Sequence, residues 1–258
     1  MEYFLRSWGA ILVFMFGKKK KKVDVSSLVE ASGLRHIAFI MDGNGRWANS
    51  KGLPREAGHR EGAKNFKEVV RYCKNIGIKY VTVYAFSTEN WKRPKREIDA
   101  IMNLLDSYIA EAQTETEIAY RFIGERVGLP ADIVSKIDTL EEMTVGREYR
   151  LNIALNYGGR AEIVSAVNRA VSDGITEITE ADISSRIYTF DCPEPDLIIR
   201  TGGEYRTSNF LMWQGAYSEL FFSEKLWPAY SNDDVDEAVI SFSGRKRRFG
   251  GLDKTSKS

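Results

Sequence analysis

Apolar positions along the chain fall into short continuous runs separated by longer stretches with helical spacing. His36 to Met41 is an apolar run of strand length that ends at Asp42-Gly43-Asn44-Gly45. Ala63, Phe66, Val69, Val70 and Cys73 then mark a helix over residues 61–75, and Gly77 closes it ahead of a β-rich run from Tyr80 to Phe86. Pro94 and Lys95 open a second helix through Ile98, Ile101, Met102, Leu105 and Ile109, whose wide apolar face suits a core or a greasy ligand. The alternation continues with strands over 119–124 and 149–155 and helices over 131–143 and 161–171. A short helix follows, capped by Thr179 or Glu180, then strands at Asp196 to Ile199 and Glu219 to Phe222 and a helix over 233–248. Val23 to Leu34 reads as a polar connection. Strands broken in this way by helices predict an α/β fold, a single domain with a central, mostly parallel sheet flanked by helices. Ligands of such sheets bind beyond the carboxyl ends of the strands. The polar clusters 42–46, 87–93, 156–160 and 200–208 each follow a strand, so they predict one cleft.

Composition narrows the chemistry. With 43% hydrophobic and 28% charged residues the 258-residue chain is globular and long enough for a sizeable core, which excludes disordered and coiled-coil readings. Its 37 basic and 36 acidic residues nearly cancel, and five of the basic ones are Lys18 to Lys22, so the rest is slightly acidic and no nucleic-acid partner is expected. The 2 cysteines and 2 histidines have no metal-ligand spacing, which argues against zinc or haem and leaves a hard cation on carboxylates. Residues 4–17 are largely apolar but too short to span a bilayer, and the positive charge comes mostly after them, unlike a secretory signal. Tyr3 to Lys22 reads as a membrane-surface anchor, with a leader of no fixed structure as the competing reading.

Within the clusters, Asp42-Gly43-Asn44-Gly45-Arg46 has the form of a phosphate nest: two glycines let backbone N–H groups converge on an anion, and Arg46 adds a bidentate fork. A tight turn capped by Asp42 is the plain alternative. A dinucleotide fingerprint fails because Gly52 and Pro54 interrupt the helix it needs. Arg55, His59 and Arg60 stand just before or on the first turn of a helix, where free N–H groups favour anions, although His59 alone could be a cap. Ser87-Thr88-Glu89-Asn90-Trp91-Lys92-Arg93 is dense for a turn; it could orient a substrate and shield a reactive carbon, or Ser87 could cap and Trp91 plug the loop. Ser87 lacks the glycines of a nucleophile elbow, so serine hydrolysis is not expected. Arg200, Arg206 and Ser208, with Gly202 and Gly203, suit a second phosphate. Glu219 could pair with an arginine or help Asp42 hold Mg²⁺. Two carboxylates and two anion pockets imply a reaction between two phosphorylated molecules.

These residues resemble the cis-prenyltransferases, in particular the bacterial undecaprenyl diphosphate synthases. The resemblance rests on His36 to Ala48, Gly58-His59, Tyr84 to Pro94, Leu151 to Arg160, Asp196 to Asn209, Trp213, Glu219, Trp227-Pro228 and Arg247 to Gly251, in register from Arg35 to Gly251. It implies Mg²⁺-dependent condensation of isopentenyl diphosphate onto an allylic diphosphate, usually farnesyl diphosphate, in repeated steps that release diphosphate. Long polyprenyl diphosphates, undecaprenyl diphosphate for cell-wall lipid carriers among them, are the products it implies. By resemblance Asp42, Gly43, Asn44, Gly45, Arg46, Trp47, Arg55 and His59 serve the allylic diphosphate, with His59 assisting the leaving group. Arg200, Arg206 and Ser208 resemble the isopentenyl diphosphate site, Asp42 and Glu219 the magnesium ligands, and Ser87, Glu89, Asn90, Trp91 and Arg93 residues that orient and condense the substrates. Glu219 often reaches across a dimer interface in this family, so a homodimer is implied.

The helix from Ile98 to Ile109 and the strand from Ala119 to Gly124 match the family's hydrophobic product tunnel. Three segments are expected: residues 1–34 as leader and connection, 35–251 as the catalytic domain, and 252–258 as a flexible tail. The enzyme is expected in the cytoplasm, peripheral at the inner face of the cytoplasmic membrane through residues 3–22. That extension, the compact stretch from Arg121 to Arg150, and Glu125 where some members carry aspartate depart from the pattern and leave product length open. A non-catalytic subunit of the same fold is the competing reading, and it sits poorly with an intact set of Asp42, Arg46, His59, Asn90, Arg200, Arg206 and Ser208.

Overall fold

The computed structural model describes residues 23–245. The apolar and polylysine leader and the tail at 252–258 lie outside the described residues, and the last helix, expected over 233–248, ends at Ser243, where Gly244 caps it. Six strands form one wholly parallel sheet in the order β3-β4-β2-β1-β5-β6. They are β1 (His36–Ile40), β2 (Tyr80–Ser87), β3 (Ile118–Ile123), β4 (Tyr149–Tyr157), β5 (Leu197–Arg200) and β6 (Glu219–Phe222). The helices are α1 (Val25–Ser32), α2 (Asn44–Ser50), α3 (Arg55–Asn75), α4 (Lys95–Ala112), α5 (Ala131–Thr144), α6 (Gly159–Ser172), α7 (Glu180–Ser184) and α8 (Asn232–Ser243).

The sheet is buried on both faces, and β1 shows how. Ile37 and Phe39 point into the larger core, shared with α1, α3, α4, α5 and α8; Ala38 and Ile40 point into a smaller one with Tyr157, Phe210 and Leu211. This two-sided burial is why β1 reads as an unbroken apolar run. Neighbours β2 and β5 lie on opposite sides of β1, so the strand order switches there and a crevice opens beyond the ends of β1 and β5.

Three expectations change. The connection at 23–34 contains helix α1: Asp24 caps it by accepting from the Ser27 N–H, and Val25 and Val29, four residues apart, both enter the main core. The folded unit therefore reaches upstream of residue 35. Helix α3 starts at Arg55, before its apolar spacing begins, because Gly58 and Gly62 occupy its first turns. A Cβ on Gly58 would lie 2.0 Å from the Asn44 carbonyl oxygen, so the bare backbone is what lets α2 pack against α3. Helix α2 itself, between Gly43 and Gly52, was not anticipated.

At the amino ends of the strands His36 is fully buried in a directed chain. Asn152 donates to the Thr82 hydroxyl (2.9 Å), Thr82 donates to Nε2 (2.8 Å), and Nδ1–H donates to the Pro193 carbonyl (2.6 Å). Burial pushes the His36 pKa down from 6.5 to about 4. Since the unfolded chain binds the proton more readily, the stability tied to a neutral His36 is present above pH 6.5 and is lost as pH falls towards 4. The loss is about 3 kcal/mol. Urea denaturation between pH 7 and 4 should show that slope in the native protein, and His36→Gln should flatten it.

Candidate functional site

The chain leaves β1 through Met41 and turns at Gly43, whose φ of +112° and approach to Leu226, 2.9 Å from where a Cβ would stand, both require glycine. Asp42 is thereby held at the crevice. Its Oδ1 pairs with Arg46 (3.1 Å) and its Oδ2 with Arg200 (2.9 Å). Arg46 also donates to the Gly202 carbonyl (2.5 Å), which ties the first cluster to the fourth. Arg55 lies over Gly45, where a Cβ would be 2.5 Å from its guanidinium. Trp47 turns away, with Lys51 over its ring at 5.2 Å, and does not line the cleft.

Arg200, at the end of β5 and 4% exposed, organises the second pocket. Besides Asp42 it donates to the Arg206 carbonyl (2.5 Å) and to the Ser208 hydroxyl (2.6 Å), while its buried Nε has no partner. Ser208 and Asn209 both adopt positive φ, which coils the loop back over the cleft. Arg206 is exposed and paired with Glu204 (2.5 Å).

From β2, Ser87 leads into a short turn over Thr88–Lys92, and the capping reading of Ser87 holds: its N–H donates to the Asn90 side chain (3.1 Å) and its hydroxyl accepts from the Asn90 backbone. Glu89 accepts from Asn209 (3.3 Å) across the cleft. Trp91 packs edge-on against Phe86 and donates to Asn156 (2.8 Å). Asn156, in a left-handed conformation, fastens itself to the Glu125 and Val127 carbonyls (3.0 Å each). The turn is thus latched to the end of β4.

Glu97, in the first turn of α4, is the residue the sequence reading missed. It is 5% exposed and accepts from Arg55 (3.0 and 3.2 Å), His59 (3.0 Å) and Arg93 (3.1 Å). Burial works to raise its pKa, but the hydrogen bonds from Arg55 and His59 and the charge of Arg93 outweigh it and hold the carboxyl below its usual range. Burial pulls the His59 pKa down, with Glu97 opposing. A glutamate three residues after a helix-opening proline looks like an ordinary charge near a helix N-terminus, and only the fold brings two arginines and a histidine to it.

Asp42, Asn44, His59, Ser87, Glu89, Asn90, Arg93, Arg200, Arg206 and Ser208 line one cleft, which brings together three of the four expected clusters; the cluster at 156–160 does not line it, and Asn156 instead holds Trp91. A largely apolar cavity of about 320 Å³ adjoins it between α3 and α4, and Met41, Asn44, His59 and Ala85 line both. Its walls are Phe66, Ile101, Leu104, Leu105 and Tyr108 with Val83 and Ile153 from the central strands. Edge strand β3 does not line it, because β2 and β4 lie between β3 and the crevice.

Glu219 is not brought to Asp42. It begins β6, opposite Leu197 at the start of β5, whereas Asp42 follows the other ends of the strands, so at least about 10 Å of strand separates them. Glu219 pairs instead with Arg245 (2.5 Å). Among the described residues no group of three or more His, Cys, Asp or Glu could hold a metal. Magnesium needs only one or two carboxylates when phosphate oxygens complete its shell, and Asp42 meets that requirement.

The family model described as "Putative undecaprenyl diphosphate synthase" matches residues 40–250. The isoprenyl transferase of Fusobacterium nucleatum is 49% identical over 84% of this chain and 96% of its own, and that of Thermotoga maritima 47% over 84% and 97%. The chain belongs to the undecaprenyl diphosphate synthase family. Among solved structures, lavandulyl diphosphate synthase from Lavandula x intermedia, in complex with dimethylallyl diphosphate, superposes with a TM-score of 0.81 at 32% identity, covering 85% of this chain and 99% of that one. The parallel sheet flanked by helices is the fold of this family, and the chain is a prenyltransferase.

Proposed function

We propose that this prenyltransferase condenses isopentenyl diphosphate with farnesyl diphosphate and repeats the step to make undecaprenyl diphosphate. The observation that carries the reading is the shared wall of the polar cleft and the apolar cavity at Met41, Asn44, His59 and Ala85. A molecule with a doubly charged head and a hydrocarbon tail fits that junction. The nest at Asp42 to Arg46, with Arg55 and His59, would take the allylic head group; Arg200, Arg206 and Ser208 would take the isopentenyl one. Magnesium bound with the diphosphates would be held by Asp42 and would neutralise charge on the leaving group. The allylic C–O bond breaks with its electron pair leaving on diphosphate, the isopentenyl double bond supplies the pair for the new C–C bond, and a proton is lost from the adjacent carbon. Ser87, Glu89, Asn90, Trp91 and Arg93 would close the cleft and keep water from the allylic cation.

Each five-carbon unit moved into the apolar cavity gains roughly 4 kcal/mol at about 0.8 kcal/mol per CH₂, which retains intermediates between additions. The role that resemblance gives Glu219 would require a second copy of the chain, since within one chain it stands at the far end of the sheet. No helix among the described residues is long and apolar enough to cross a membrane. Contact of residues 3–22 with the cytoplasmic membrane surface is part of the same proposal, as a route for so apolar a product.

Purified protein with Mg²⁺, farnesyl diphosphate and labelled isopentenyl diphosphate should give a ladder of products ending at eleven isoprene units. Asp42→Asn, which keeps an oxygen for Arg200 to bond, should fold and lose at least about 100-fold in rate, as expected when an electrostatic contact to the leaving group is removed. No extension by folded native protein would refute the reading.

Tyr108 should set where the ladder ends. Among the described residues, it and Lys67 are the only wall residues common to the apolar cavity and a second cavity near Tyr120, and it packs against Phe66 and Tyr120 (ring centroids 5.0 and 6.2 Å). Tyr108→Ala joins the two spaces and should lengthen the product by at least one isoprene unit, while Tyr108→Phe should leave it unchanged. Equal product lengths in the native and alanine proteins would show that the limit lies elsewhere.

A further inference from the structure

We infer that Glu97 is a positioning residue which holds His59 with its proton on Nε2, so that Nδ1 is the ring nitrogen that meets a diphosphate. The inference rests on the cleft being a diphosphate site and is independent of product length. An ionised carboxylate has no proton to donate, so in the 3.0 Å contact between Oε1 and Nε2 the ring must be the donor. That assigns the tautomer of the neutral ring. Nδ1 then carries a lone pair and has no hydrogen-bond partner among the described residues, while the ring lines both the polar cleft and the apolar cavity. The charged groups acting on the ring are Glu97 from α4, Arg93 from the segment entering α4 and Arg55 one turn back on α3. Glu97 touches the ring and both arginines, and without it the two guanidinium groups would face each other beside the ring with no counter-charge.

The consequence for the ligand follows from the geometry. A lone pair at Nδ1 repels a diphosphate oxygen, whereas a protonated ring, still anchored through Nε2–H, donates from Nδ1–H. Diphosphate binding should therefore draw a proton onto Nδ1. The same N–H is then in place when the allylic C–O bond breaks and its electron pair passes to the diphosphate.

The chain has only 2 histidines, and His36 is held in the opposite tautomer and stays neutral to about pH 4, so full-length protein labelled with ¹⁵N-histidine gives two rings and an internal standard. Long-range ¹H–¹⁵N spectra should show neutral His59 with its proton on Nε2, and inorganic diphosphate should raise the His59 pKa. Glu97→Gln, whose amide can either donate or accept, should give mixed tautomers, a lower His59 pKa and at least tenfold weaker diphosphate binding. Glu97→Asp should keep the native tautomer. Neutral His59 protonated on Nδ1 in the native protein, or a Glu97→Gln spectrum and titration equal to the native ones, would overturn the assignment. If Glu97→Gln disturbs the His36 signals and so the fold, the native and Glu97→Asp tautomers decide. The stated tautomer with no response to diphosphate would refute the diphosphate site and leave the Glu97–His59 pairing standing.

Discussion

Beyond the ends of β1 and β5 the chain departs to opposite faces of the sheet, towards α2 and α3 from one strand and towards the Phe210-Leu211 segment from the other, and Arg200 bridges the gap. One planar guanidinium holds the Asp42 carboxylate, the Arg206 carbonyl and the Ser208 hydroxyl. Lysine, a point charge on a flexible stem, could not reproduce that fork. Because Arg200 is almost wholly buried, removing one partner would leave a desolvated charge, so the Asp42 turn and the Ser208 loop are fixed relative to each other. Both proposed anion pockets inherit their spacing from this contact.

The same economy of backbone appears on the other side of Asp42. Gly43 admits Leu226, and Gly58 admits the Asn44 carbonyl, so α2 is wedged between the end of β1 and the first turns of α3. Trp227, buried below, accepts the close approach of Gly62 and donates its indole N–H to the Gly62 carbonyl (2.9 Å). The proposed nest, which reads as a loop feature in sequence, is therefore clamped by the Leu226 segment and by α3 before any ligand arrives. Such preorganisation lowers the ordering cost of binding an anion.

How much of this was legible depends on the kind of signal. Apolar runs buried on both faces, such as Ile37 to Ile40 and Val81 to Val83, announce strands directly, and polar clusters after those runs announce the cleft. Helix α1 was missed because two buried valines in eight residues are too few to show a period, and α2 because glycines flank it. The start of α3 was obscured by Gly58 and Gly62, which serve packing at the expense of helix propensity. Glu97 was invisible for a different reason: its partners Arg55 and His59 are 42 and 38 residues away, and nothing local distinguishes it from a solvent-facing charge. Glu219 is legible only in part: of its two readings, pairing with an arginine is the one met within the chain, because strand register carries it to the end of the sheet away from Asp42.

Charge and grease meet at a single ring. Arg55, Arg93 and Glu97 surround His59 on its polar side, while Met41 and Ala85, which share the boundary, lead to Phe66, Leu105 and Tyr108. If the two arginines stood without a counter-charge, their mutual repulsion would push the boundary towards water. One buried carboxylate among them brings the local charge to a value that can sit beside hydrocarbon, yet leaves a net excess for an anion to match. A hydrocarbon tail can then begin within a few ångströms of a diphosphate without either environment spoiling the other. That adjacency is what a prenyl diphosphate requires of a protein, and it is set by where α4 delivers Glu97 against α3.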